Sequence, residues 1–142
     1  MIKRLLMLLG LWAALTGCAD AAPAEEEIPE SHAAYLENYG WHIKKKIGER
    51  TEVVDYYPER MKTMRIAGLD LEPFRHREAR ITSYELSETQ NSEDKDARKM
   101  YATIYEIDGT IVGGYGSLEG WTPGLFALDG KDGLIQRGIL RP

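Results

Sequence analysis

Residues 100–117, MYATIYEIDGTIVGGYGS, decide the fold. Two runs rich in β-branched and aromatic residues are joined by Asp108-Gly109, a dipeptide that accepts the two positive φ angles of a type I′ turn. The segment predicts a β-hairpin with strands at about 99–107 and 110–116. A lone hairpin is marginal in water, so further strands and an apolar cover have to come from the rest of the chain.

Upstream, ARITSYELS (79–87) has the alternation and β-branched content of another strand, and the polar ETQNSEDKD after it reads as a loop. Pro58 suits the first position of a helix in which Tyr57, Met61 and Met64 share a face, with Gly68 as its stop. LDLEPF then carries Leu69, Leu71 and Phe74 back to the core. Ser31 as N-cap and Gly40 as terminator predict a short helix over 31–39. Trp41, Ile43 and Ile47 alternate with His42, Lys44 and Lys46, which predicts a strand; Gly48 to Thr51 read as a turn and EVVDYY as the returning strand. Downstream, LEGWTPGLFALDGKDG reads as an ordered loop and LIQRGILRP as a short edge strand. The sum is a single α+β domain over residues 31–142, with an antiparallel sheet of four to five strands and two helices on one face.

The N-terminus is of another kind. Lys3 and Arg4 precede an apolar run, Leu5 to Leu15, of the roughly 7 to 15 residues of a secretory signal, well short of the about 20 that span a bilayer. Leu15-Thr16-Gly17-Cys18 resembles the lipobox of bacterial lipoproteins, in which the sulfur takes a diacylglyceryl group and the chain is cut just before it. Cys18 is the single cysteine of the 142 residues and has no internal disulfide partner. Residues 1–17 are therefore read as a lipoprotein signal peptide, Cys18 as the lipidation site, and 18–30 as the lipidated cysteine with an acidic, flexible tether. A dozen such residues span about 20 Å. Two acyl chains give stable attachment where one does not. The expected location is the cell membrane, lipid-anchored, on the extracytoplasmic face.

Loss of Lys3 and Arg4 with the signal takes the formal charge from −5 to −7. Such an acidic domain lacks the basic footprint of a nucleic-acid binder. Its chemistry-bearing residues are dispersed. His32, His42 and His76 have no metal-ligand spacing, and His42, between Trp41 and Ile43, is expected on a solvent face. Gly114, Gly116 and Gly120 are spaced GxGxxxG without a following helix, unlike a dinucleotide loop. Ser117 has Tyr115 where a nucleophile elbow has glycine. Asp129 and Asp132 in LDGKDG lack the remaining ligands of an EF-hand. The runs containing Glu25 to Glu27, Glu93, Asp94 and Asp96 read as solvated faces. No cofactor or metal is implied.

Two basic clusters, Lys44 to Lys46 and Arg75-His76-Arg77 with Arg80, are candidates for contact with an anionic polymer or acidic partner. Tyr101, Tyr105, Tyr115, Trp121 and Phe126 supply a candidate aromatic patch at the hairpin. The expected role is a non-catalytic binding or interaction domain at the cell surface, with the membrane anchor and a protein or surface ligand as partners. The alternative is a small cell-envelope hydrolase or wall-modifying enzyme in which Glu106, His76 and Asp129 converge.

Through YGWHI, GLDLEPF, ARITSYEL, IVGGYG and WTPGLF, in that order, the run from Tyr35 to Leu128 resembles a domain-of-unknown-function family of lipid-anchored or secreted proteins from spore-forming Firmicutes. The resemblance implies an outward-facing location and a fold, and no activity. In that family an acid often follows the double glycine, where this chain has Tyr115.

Overall fold

The computed structural model describes residues 26–93 and 98–142. Helix α1 (Glu30–Glu37) leads into strand β1 (Ile43–Val53), helix α2 (Pro58–Ile66) and a 3-10 turn (Glu72–Phe74). Strands β2 (Glu78–Thr89), β3 (Lys99–Ile107), β4 (Thr110–Leu118) and β5 (Leu125–Phe126) follow, then a second 3-10 turn (Leu128–Gly130) and helix α3 (Lys131–Gln136). The strands form one antiparallel sheet in the order β1-β2-β3-β4-β5. This is the α+β domain with an antiparallel sheet that the sequence predicts, in its five-stranded form.

The hairpin at its centre is as predicted. Asp108 and Gly109 take φ of 51° and 74° and join β3 to β4. Side chains on β2 and β3 alternate through an unbroken register from Arg80↔Glu106 to Glu85↔Tyr101, so each face is defined residue by residue. On one face Tyr84, Leu86, Ala102 and Ile104 pack with Leu36 of α1, Leu134 of α3, Trp41 and Phe126. On the other, Ile81, Tyr105 and Ile107 pack with Met61 and Met64 of α2 and with Leu69 and Leu71. Two small helices, α1 and α3, thus share one face, and α2 lies over part of the other.

Two stretches differ from the sequence expectation. No turn interrupts residues 48–51: β1 is one strand of 11 residues with register shifts at Ile43/Lys45 and Lys46/Gly48. Gly48 has open space where a Cβ would stand. A glycine on an edge strand absorbs an extra residue as a bulge as readily as it starts a turn. Likewise, the C-terminal run is no edge strand. Leu134 is buried in α3, Gly138 at φ 71° ends that helix, and only Leu140 bridges to Gln90. Two glycines within or beside six helical residues mask the periodicity.

Smaller adjustments concern the helices. Pro29, not Ser31, holds the N-cap position of α1. Met61 and Met64 are buried as expected, but Tyr57 is 64% exposed.

Candidate functional site

The covered part of the second face ends at Ile81 and Tyr105. One step further along the same strands the residues on that face become Ser83 and Thr103, with Tyr115 opposite Thr103 on β4. Ser83 Oγ and Thr103 Oγ1 lie 3.1 Å apart. A further step brings Glu85, Tyr101 and Ser117 into a second cross-strand row. Tyr101, Tyr115, Ser83 and Ser117 are all half-buried, and none belongs to the residues packed under α2 except Tyr115, at its margin. Hydroxyls and phenol rings on three adjacent strands form a polar, aromatic platform, hereafter the open face.

A cluster of cations bounds it. Because β1 shifts register between Ile43 and Lys45, two consecutive lysines reach the same carboxylate. Lys44 Nζ is 3.0 Å from Glu85 Oε1, while Lys45 and Lys99 Nζ stand 3.4 and 3.5 Å from Oε2. The Glu85 side chain is 3% exposed against 46–59% for the three lysines. A hydrogen bond from Lys44 holds the Glu85 carboxyl below its ordinary range, with Lys99 and Lys45 adding to the effect. On the other side, Gly48 leaves a hollow of about 250 Å³ bounded by Ile47, Arg50 and Ser83.

The closed face carries polar groups of another sort. His32, on the buried side of α1, places Nδ1 2.6 Å from the Tyr84 hydroxyl and Nε2 3.1 Å from the Glu106 carboxylate. His32 is 2% exposed and Glu106 11%. Burial, with Glu106 and Glu49 nearby, pushes the Tyr84 phenol up to about 12. The Nδ1–Tyr84 contact is a hydrogen bond, whereas Nε2 and Glu106 Oε2, though close, lack hydrogen-bond geometry and are buried without a hydrogen-bond partner among the described residues. The arrangement pins α1 to the sheet. A second pin lies at the far end, where Glu88 accepts from His42 Nδ1 at 2.8 Å and from Lys131 at 3.0 Å, and Lys131 stands 4.8 Å above the Trp41 ring.

The residues singled out in the sequence distribute as follows. His42 is exposed, as expected, at 64% of its side chain. Glu106 does meet a histidine, but that histidine is His32; His76 sits exposed at φ 64° in the turn before β2, and Asp129 lies in the second 3-10 turn. Gly114 and Gly116 serve packing, since a methyl group on Gly116 would overlap the Phe126 ring. Each arginine of the second basic cluster stands beside an acid: Arg75 has Glu72 at 2.7 Å, Arg77 has Asp108, and Arg80 has Glu106 at 3.8 Å. Lys46 turns from Lys44 and Lys45 to Glu26 and Glu49. The aromatic set divides: Tyr105 and Phe126 are core, Tyr101 and Tyr115 are on the open face, and Trp121 is 48% exposed with its indole N–H donating to Gln90 at 2.9 Å.

Sequence reasoning missed the buried role of His32 and the place of Glu85. A signal for the first was present: His32 and Leu36 stand at i, i+4 on α1, so they share a face. Glu85 gave none, since a glutamate in an alternating strand reads as solvent-facing. Among the described residues no three His, Cys, Asp or Glu side chains gather to hold a metal ion, and no helix is long and apolar enough to cross a membrane. Cys18 and the signal segment lie outside the described residues.

Residues 35–115 match the family described as Domain of unknown function (DUF4830). The chain belongs to that family. No curated protein and no solved structure matches it. The matched DUF4830 segment runs from α1 to Tyr115, so it holds β1, α2, β2 and β3 and nearly the whole open face; β5 and α3 fall beyond it.

Proposed function

We propose that this DUF4830 protein is a lipid-anchored, extracytoplasmic domain that binds a ligand through the open face and performs no catalysis. The observation that carries the proposal is that on β2 and β3 the residues packed with α2 end at Ile81 and Tyr105, beyond which those two strands carry Ser83, Thr103 and Tyr101 beside a lysine cluster, while α2 itself reaches β5. A sheet face left without a helix is ordinarily a solvated surface of short, charged residues. Half-buried tyrosines among ordered hydroxyls are instead the composition of contact surfaces. The anchor rests on the signal segment and Cys18, and Ile28 already packs against the core just before α1, so the tether is short. The Glu106–His32 pair favours no hydrolase, because its imidazole is enclosed between α1 and the sheet.

Two measurements test the proposal. Cys18→Ala abolishes incorporation of labelled palmitate and releases or misprocesses the protein; membrane attachment unchanged by the substitution would overturn the anchor. The detergent-solubilised full chain binds intact envelope fractions saturably, and Tyr115→Ala reduces that binding about tenfold. Binding that is absent, or indifferent to Tyr115, would overturn the role of the open face.

A further inference from the structure

We infer that the second half of β1, Glu49 to Val53, pairs antiparallel with the same segment of a second copy of this chain, joining two five-stranded sheets into one. The interface is the edge of the sheet, separate from the open face. β1 pairs with β2 alone and so presents a whole backbone edge. Such an edge is a template for a further strand unless something blunts it. Its first half is blunted. That half carries both register shifts and three consecutive lysines, and Glu26, Glu27 and Ile28 line a hollow with those lysines, Lys46 Nζ standing 3.0 Å from Glu26. From Gly48 to Val53 the register is unbroken, with neither lysine nor proline, and Glu49, Arg50, Thr51 and Val53 are exposed.

The ladder fixes which backbone groups are free. The Val54 N–H donates to the Arg77 carbonyl and the Val54 carbonyl accepts from the His76 N–H, both at 2.8 Å. Successive residues of a strand direct these groups to opposite sides, so those of Val53 point away from β2, and so do those of Thr51 and Glu49. Three residues at a spacing of two thus offer N–H and C=O outward, which is one side of an antiparallel ladder.

Charge selects the occupant and the register. Outward residues must meet outward residues, so the self-pairings open to this segment are centred on Glu49, Arg50, Thr51 or Glu52. Three of them set Glu49 against Glu49, Arg50 against Arg50 or Glu52 against Glu52, and like charges directly opposite destabilise a sheet. Centring on Thr51 sets Arg50 opposite Glu52 of the second copy, twice, in the closer pairs of the ladder, and threonine opposite threonine. The strand is therefore complementary to itself in one register only. Arg50 and Glu52 stand 3.3 Å apart within the chain, their side chains 49% and 31% exposed. Arg60 stands 3.6 Å from Glu52 and Lys46 3.1 Å from Glu49, so around the segment Lys46, Arg50 and Arg60 balance Glu26, Glu49 and Glu52. Asp55, exposed beyond the end of β1, falls opposite Ile47 in this register.

Sedimentation equilibrium of the detergent-solubilised full chain, with micelles in large excess over protein, tests the pairing. A short seam of this kind is a small interface, so the dimer is expected at about 100 µM. Thr51→Pro removes an outward N–H without touching the bonds to β2 and leaves the chain monomeric. Arg50→Glu and Glu52→Lys each weaken dimerisation about tenfold, and mixing the two variant chains restores it, because each then meets its opposite charge. Thermal melts accompany every variant. Where Thr51→Pro lowers the melt, Thr51→Cys reports in its place: a short bis-maleimide links two copies through it, and does not link the parent chain or Asp129→Cys, which lies just beyond β5 at the other end of the sheet. A chain monomeric up to about 500 µM would overturn the inference and leave the edge to a strand of another protein. A dimer indifferent to Thr51→Pro and unlinked through Thr51→Cys would overturn it as well, and so would a mixture of the two charge variants that fails to associate.

Discussion

The two faces of this sheet come from the same strands, one residue out of phase, and they end as opposite kinds of surface. On the closed face Tyr84, Ala102 and Ile104 are fully enclosed under α1 and α3, and the polar groups there, His32, Tyr84 and Glu106, gather against one another. On the other face Ile81 and Tyr105 lie under α2, but Ser83 and Tyr101 do not, and both are half-buried. Stability is concentrated where a helix covers the sheet, and the proposed binding surface lies where none does.

The sharpest contrast comes from truncating equivalent positions. Ile104→Ala empties a fully buried site and costs about 3 kcal/mol in urea unfolding, whereas its neighbour Thr103→Ala, on the open face, costs under about 1 kcal/mol. Comparable losses would deny that the faces differ. Glycines repeat the test in the other direction. Gly116→Ala forces the Phe126 ring aside and costs about 2 to 3 kcal/mol; Gly48→Ala meets nothing and stays within about 0.5 kcal/mol of the parent.

His32→Ala removes the shared partner of Tyr84 and Glu106 and destabilises by about 2 kcal/mol. Protection from hydrogen exchange falls first in α1, which this residue pins; uniform loss across the sheet would argue against a local clamp. The smallest effect is the acid dependence. Glu88 is raised by burial, but hydrogen bonds from His42 and Lys131 outweigh this and hold it below its ordinary value of 4.5. A carboxylate depressed in the folded state stabilises above its unfolded pKa and loses that contribution as pH falls through the folded one. Stability is therefore level above about pH 5 and declines below about 4.5, and Glu88→Gln makes that decline shallower. Glu85, held below its ordinary range by a hydrogen bond from Lys44, titrates in the same sense.

Much of this arrangement was legible. The Asp108-Gly109 hairpin, the strand through ARITSYELS and the helix opened by Pro58 all carry strong local signals, and each stands where the sequence puts it. β1 was misread as two strands because a bulge at an edge and a turn use the same residues, glycine and short polar ones. The open face was legible only in pieces: Lys44, Lys45, Tyr101 and Tyr115 were noticed in separate clusters, and Glu85 in none. Their meeting depends on register, and a single shift in β1 determines that two consecutive lysines reach one carboxylate.

What the sequence determined by itself is therefore local: the turn that makes the hairpin and the alternation that makes its neighbours. These depend on backbone preference and on periodicity, which neighbouring residues settle among themselves. Which face each helix covers, how far the cover extends, and which carboxylate three lysines share were decided only by the tertiary structure, because they depend on where α2 seats on the sheet and on pairing between β1 and β2 residues some 25 to 43 positions apart.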